Sequence, residues 1–212
     1  VRACLAALLG AVLAATVGGC SGSFFKSTAP ATSVYLLSIK VEAQPGDIAI
    51  PADLTVLMPH VRTGLDSDRI AALYPDRKLD YFAAARWSGP LDEVVQDLAL
   101  QALQGRFRNV GTDTSAFNAG YWLEIDVVDF QAEYTGAASD AGPTAHVRLR
   151  ARVGNGSDRR VLGEFEADAR QPAAQNRLAA VVAAYEAAAQ RALGEIAEKS
   201  SQRIAGLPPA PP

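Results

Sequence analysis

The sequence is poor in the side chains that do most metal, redox and nucleophilic work: its 212 residues include two cysteines and two histidines. So few ligands exclude a multi-ligand zinc site and a disulfide scaffold. Aromatic residues make up only 7% of the chain. No basic block occurs, and 20 Lys and Arg stand against 23 Asp and Glu, for a formal net charge of −3. Binding driven by phosphate neutralisation is therefore disfavoured, and no nucleic-acid partner is expected. The G-x-S-x-G, H-E-x-x-H, Walker-type and G-x-G-x-x-G patterns are all missing. What is present is a 49% apolar share, enough for one globular domain with tails.

The chain opens Val1-Arg2-Ala3, runs apolar from Cys4 to Val17 and closes Gly18-Gly19-Cys20. A short positive start, an apolar stretch and a small-residue end describe a secretory signal over residues 1–19. The run is too short for a membrane-spanning helix, which needs about 20 apolar residues. Val17-Gly18-Gly19-Cys20 resembles a bacterial lipobox, which implies lipidation of Cys20 and cleavage before it. Several acyl chains anchor far more firmly than one, at about 0.8 kcal/mol per buried methylene. Ser21 after the cysteine favours the outer membrane over the inner one, with the chain facing the periplasm. Residues 20–33, rich in Ser, Thr, Ala, Gly and Pro, read as a flexible tether. Residues 206–212, ending Pro208-Pro209-Ala210-Pro211-Pro212, read as an extended tail.

Between the tails, residues 34–205 read as a single domain of alternating strands and helices. Strands are expected over Val34–Ile39, Asp53–Met58 and Leu79–Ala83, with a turn at Pro45-Gly46-Asp47. Asp66–Leu73 is expected to form a short helical turn capped by Asp66. A helix starts at Pro90-Leu91, capped by Ser88 or Gly89, with Asp92 and Glu93 at its positive end and Gly105 as its stop. Leu91, Val94, Val95, Leu98 and Ala102 share one face of it. Leu178, Val181, Val182, Tyr185, Ala189, Ala192, Leu193 and Ile196 form the stripe of a longer final helix.

Three strands separate the helices. Leu123, Ile125 and Val127 alternate with Glu124 and Asp126. Residues Ala145 to Val153 alternate with His146, Arg148, Arg150 and Arg152, and Val161 to Ala169 with Glu164, Glu166 and Asp168. Period-2 alternation predicts a sheet with one buried and one wet face. The Gly154-Asn155-Gly156-Ser157-Asp158 turn predicts a hairpin. With partners summing to 314, Arg150 faces Glu164, Arg148 faces Glu166 and His146 faces Asp168. The fold class expected is α/β (α+β): a two-layer sandwich, its mixed and largely antiparallel sheet carrying helices on one face.

Candidate chemistry is sparse. His60 and His146 read as ordinary surface or core histidines, and Asp66-Ser67-Asp68 as a cap rather than a calcium site. The alternating carboxylates are exposed and have no reason for a raised pKa. No catalytic site, cofactor or metal is expected.

One tract is more specific. Leu65-Asp66-Ser67-Asp68-Arg69-Ile70, Leu79-Asp80-Tyr81-Phe82 and Arg86-Trp87-Ser88-Gly89-Pro90-Leu91, with the early Tyr35-Leu36-Leu37, resemble the ABC-type transport auxiliary lipoprotein family, which includes the paraquat-inducible lipoprotein C group. The signature residues are Tyr35, Leu65, Asp66, Arg69, Tyr81, Arg86, Trp87, Pro90 and Leu91, and they are read as structural. The resemblance implies a non-catalytic lipoprotein of an MCE/MlaE-type transport system. Its expected partners are an MCE-domain protein, the permease and ATPase of the transporter, the membrane through the lipid anchor, and a possible homo-oligomer. The alternative is a periplasmic scaffold or assembly lipoprotein for an outer-membrane protein.

Overall fold

A computed structural model describes residues 31–40, 49–117, 119–136 and 142–207. Cys20, the expected turn at Pro45-Gly46-Asp47 and the prolines from Pro208 onward lie outside the described residues. Among the described residues, the strands are β1 (Ser33–Tyr35), β2 (Ile50–Val56), β3 (His60–Val61), β4 (Arg69–Leu73) and β5 (Leu79–Trp87), followed by helix α1 (Leu91–Leu103). Then come β6 (Phe107–Thr112), β7 (Tyr121–Glu133), β8 (Thr144–Asn155), β9 (Val161–Pro172) and helix α2 (Leu178–Ala205). The result is a mixed α/β fold with one nine-stranded open sheet and two helices.

Strand β7 organises the sheet. On one edge it pairs antiparallel with β8 along its whole length, and β8 pairs antiparallel with β9. Its other edge is shared in sequence by three short parallel strands: β2 at Tyr121–Leu123, β3 at Asp126–Val127 and β4 at Ala132–Glu133. The sheet forks there, β6 continuing from β2, and β5 then β1 continuing from β4. Parallel pairing requires the chain to cross over between neighbours, so this fork is built from contacts distant in sequence.

A bulge sets the faces of β7. Val127 pairs with Leu149 and Asp129 with Arg148, so the ladder skips Val128. Before the bulge, Leu123, Ile125 and Val127 enter the core; after it, Phe130 and Ala132 do. An extra residue reverses the parity of the alternation. Asp129, Gln131 and Glu133 thereby join Glu124 and Asp126 on the polar face.

The expected helical turn at Asp66–Leu73 is instead a tight turn followed by β4. Ile70, Ala71 and Ala72 are buried, and β4 is held between β5 and β7. Tertiary pairing overrides the local alanine preference for helix. The β8–β9 register is also corrected: partners sum to 316, so Arg152 faces Glu164, Arg150 faces Glu166, and Arg148 faces Asp168. The centre of the hairpin lies one residue further along than expected, so each partner moves by two. A two-residue shift keeps every side chain on its face, so the alternation survives.

The core joins both helices to the sheet in a single cluster. Trp87, Phe130 and Tyr185 form its aromatic centre. Trp87 meets both partners edge-on, with centroids 6.1 and 5.2 Å away, and Phe130 and Tyr185 stack at 5.2 Å. The buried Tyr185 hydroxyl donates to the Ala71 carbonyl at 2.7 Å, and its burial raises the phenol pKa well above the ordinary value. The expected stripes hold, with Val94, Val95 and Leu98 of α1 and Val181, Ala189 and Leu193 of α2 buried.

Basic side chains of α2 blunt the outer edge of β9. Arg203 donates to the Leu162 carbonyl at 2.6 Å, Lys199 to Glu166 at 3.2 Å and Arg191 to Arg170 at 2.7 Å. These carbonyls all belong to even-numbered residues, which point to the same side of the strand. Satisfied edge carbonyls and flanking charges discourage another strand from pairing there.

Candidate functional site

Two regions carry the polar detail of this body: the turn before β4 with the start of α1, and the outward face of β7, β8 and β9.

In the first, the 62–68 turn is stitched to both elements that follow β4. Gly64 has φ +93°, a left-handed conformation that costs glycine nothing. This orients its carbonyl to accept the Tyr81 hydroxyl at 2.7 Å. The Asp68 carbonyl accepts Trp87 N–H at 2.7 Å and the Ser67 carbonyl accepts Leu91 N–H at 3.2 Å. Neither Ser88 nor Gly89 is the cap expected of them: Pro90 is the N-cap residue and no side chain caps the helix, while the neighbouring turn serves an orphan N–H. Leu65, Trp87 (2% exposed) and Leu91 are buried. Arg69 lies 3.7 Å over the Tyr81 ring, and Arg86 is 3.6 Å from the Asp68 carboxylate. Tyr35 pairs with Trp87 across β1 and β5. Asp66 is exposed and caps no helix. Eight of the nine signature residues therefore share one junction.

The second region is more strongly coupled than alternating charge suggests. His146 is 4% exposed. Its Nδ1 lies 2.7 Å from Glu133 Oε1 and its Nε2 lies 3.0 Å from Asp168 Oδ1. Glu133 also accepts from Arg170. The Gln131 amide donates to both Glu133 and Asp129, at 3.2 and 3.1 Å. Asp129, 6% exposed, accepts two bonds from Arg148, at 2.7 and 2.6 Å, and lies 3.4 Å from Arg62. Gln131 Oε1 takes the Phe130 N–H at 3.0 Å, at a stretch of β7 between the lengths covered by β3 and β4.

Burial would raise the pKa of both carboxylic acids, but hydrogen bonds outweigh it. The Gln131 amide and Arg148 hold Asp129 below the usual carboxylate range. Hydrogen bonds from His146 and Arg170 do the same for Glu133. Toward the other end of the face the pairs are looser: Arg152 lies 3.2 Å from Glu124, Arg150 3.5 Å from Glu166, and exposed His60 3.2 Å from Glu124.

Sequence reading missed Asp129, Gln131 and Glu133, because the alternation was followed only to Val127. A signal was there: Val128 to Glu133 alternates again with the opposite parity. Among the described residues, no group of three or more His, Cys, Asp or Glu is placed to hold a metal ion. The carboxylates on this face are tied to cations and amides, an arrangement that fixes strands against one another.

The sequence model of the ABC-type transport auxiliary lipoprotein component matches residues 35–197, and the chain belongs to that family. Among solved structures it is similar to protein XCC0632 from Xanthomonas campestris, with 26% identity and a TM-score of 0.70 over 82% of this chain and 96% of that one. It is also similar in fold to an uncharacterized protein at 11% identity and a TM-score of 0.58, covering 80% of this chain and 99% of that one. No curated protein matches the sequence.

Proposed function

We propose that this chain is a non-catalytic, lipid-anchored accessory subunit of an MCE/MlaE-type ABC transport system. In this role it supports lipid or apolar-molecule trafficking across the cell envelope by binding and positioning its partners. The observation that carries the reading is the family match over residues 35–197. Cys20 supplies the anchor, residues 20–33 the tether, and residues 34–205 a single periplasmic domain whose two helices cover one face of the sheet. The signature residues keep the junction rigid, and protein partners meet other surfaces. An outer-membrane position facing the periplasm follows from Ser21 beside the lipidated cysteine.

Crosslinking in native membranes, with the captured neighbour identified by mass spectrometry, tests this proposal. Capture of an MCE-domain protein or the permease supports it, whereas capture of an outer-membrane barrel alone favours a scaffold role. Fractionation of Cys20→Ala tests the anchor: the variant should leave the membrane fraction. Equal membrane retention of wild type and variant would remove Cys20 from the account.

A further inference from the structure

We infer that the outward face of the β1–β5–β4 end of the sheet is a docking surface for an anionic phospholipid bilayer, on which the folded body lies beside its own anchor. The inference rests on the Cys20 reading above.

Large apolar side chains are exposed at few described positions, and two of them fall two residues apart at the start of the domain: Val34, 55% exposed, and Leu36, 74% exposed. Leu36 follows directly on β1, and the place of Val34 in the sheet is defined. Val34 pairs with Arg86, and Arg86 with Arg69. Cross-strand partners share a face. Ala85 and Trp87 on either side of Arg86 are buried, so Arg86 and Val34 point away from the core. The row across the three strands therefore reads aliphatic, guanidinium, guanidinium. Arg69 is laid flat on Tyr81, and Arg86 shares Asp68, so the row carries an excess of positive charge.

Three considerations select a bilayer as occupant. Thirteen residues separate Cys20 from Val34, so a fully extended tether spans at most about 45 Å. Acyl chains on Cys20 thus hold this row, first along the chain, within reach of the headgroups. Apolar tips flanked by arginines suit the boundary between acyl chains and anionic phosphates. The polar face of β7, β8 and β9, although its charges are largely paired, carries seven carboxylates against four arginines, an acidic excess that the same surface disfavours. A single sheet thus has one end that an anionic membrane attracts and one that it disfavours.

The test uses the full lipidated chain reconstituted in phosphatidylethanolamine/phosphatidylglycerol vesicles, with and without brominated acyl chains. Leu36→Trp and Val161→Trp are compared with the parent by the tryptophan emission each adds. Val161 is exposed at the far hairpin and serves as the control. The expected result is loss of most of the added Leu36→Trp emission in brominated vesicles, with the Val161→Trp emission retained. If the chain sediments with the vesicles and the Leu36→Trp signal is unquenched, docking is overturned while the anchor stands. Quenching of both probes overturns the proposed orientation. A chain that stays in the supernatant overturns both docking and anchor.

Discussion

The two sides of β7 are built by opposite strategies. On the β8–β9 side, long antiparallel strands pair in sequence order through a hairpin, and their registers run over many residues with one irregularity each. On the other side, β2, β3 and β4 each hold only two or three residues of β7, following one another along its edge in short separate pieces, far from β7 in sequence. Local antiparallel pairing is specified by alternation and a turn. Short parallel strands lack that local specification, and something else must position them. Here that role falls to the buried junction of Leu65, Trp87 and Leu91, with the 62–68 turn as clamp. The motif of this family therefore sits where the sheet is least specified by pattern.

If the junction holds the fork together, its loss should be the most damaging single change. Trp87→Ala removes the centre of the aromatic cluster and should cost about 3–5 kcal/mol, read by chemical denaturation of the soluble domain. An unchanged stability with lost partner capture would instead make Trp87 an interface residue. Next in size is the buried carboxylate that ties β7 to β8. Asp129→Ala strands Arg148 beside Gln131 and should cost about 2–3 kcal/mol, below the full value for a buried pair because Arg148 is one-third exposed. Proteolysis should then open the β7–β8 side before the junction, reversing the order produced by Trp87→Ala.

The same network sets an acid limit. The folded-state pKa values of Asp129 and Glu133 lie below their ordinary values. Their contribution is therefore fully present above the unfolded carboxylate range of about 4 and is lost as pH falls through the depressed folded values. Thermal unfolding should show a steep loss of stability below that range in the wild type, and a flatter one in Asp129→Asn/Glu133→Gln. Equal slopes would move the acid-sensitive groups elsewhere.

Legibility followed the same division. The hairpin, the alternation of β8 and β9 and both helix stripes could be read because their signals are periodic and contiguous. Errors arose where a single residue decides the outcome. The extra residue at Val128 hid the row of Asp129, Gln131 and Glu133, and a hairpin centred one residue later than expected moved each charge partner by two residues. Strand β4 was misread as helix because Ile70-Ala71-Ala72-Leu73 has no local strand signal; its conformation comes from β5 and β7. Strands β3 and β6 went unread for similar reasons. The junction was legible only as a motif, since nothing in its spacing reveals that Ser67 and Asp68 carbonyls serve Leu91 and Trp87.

A subtler probe of the fork is Tyr185→Phe. It keeps the ring stacked on Phe130 and deletes only the hydroxyl that reaches the Ala71 carbonyl of β4. The expected cost is about 1 kcal/mol, accompanied by faster amide exchange in β4 than in β8. Uniform exchange changes across both strands would show that α2 does not hold the fork independently.

The smallest effect should come from the loose end of the polar face. Arg150 lies 3.5 Å from Glu166, with both side chains more than half exposed. Such a pair is screened by water and salt, and Arg150→Ala should change stability by no more than about 0.5 kcal/mol. Its register is maintained by the backbone ladder and by buried Leu149 and Ala151, which the substitution leaves in place. Double-mutant cycles should therefore give Arg150–Glu166 a coupling well below that of Arg148–Asp129, although the two arginines are two residues apart on one strand. Equal couplings would mean that the charge lattice acts as a unit and that the distinction between its buried and exposed ends is wrong.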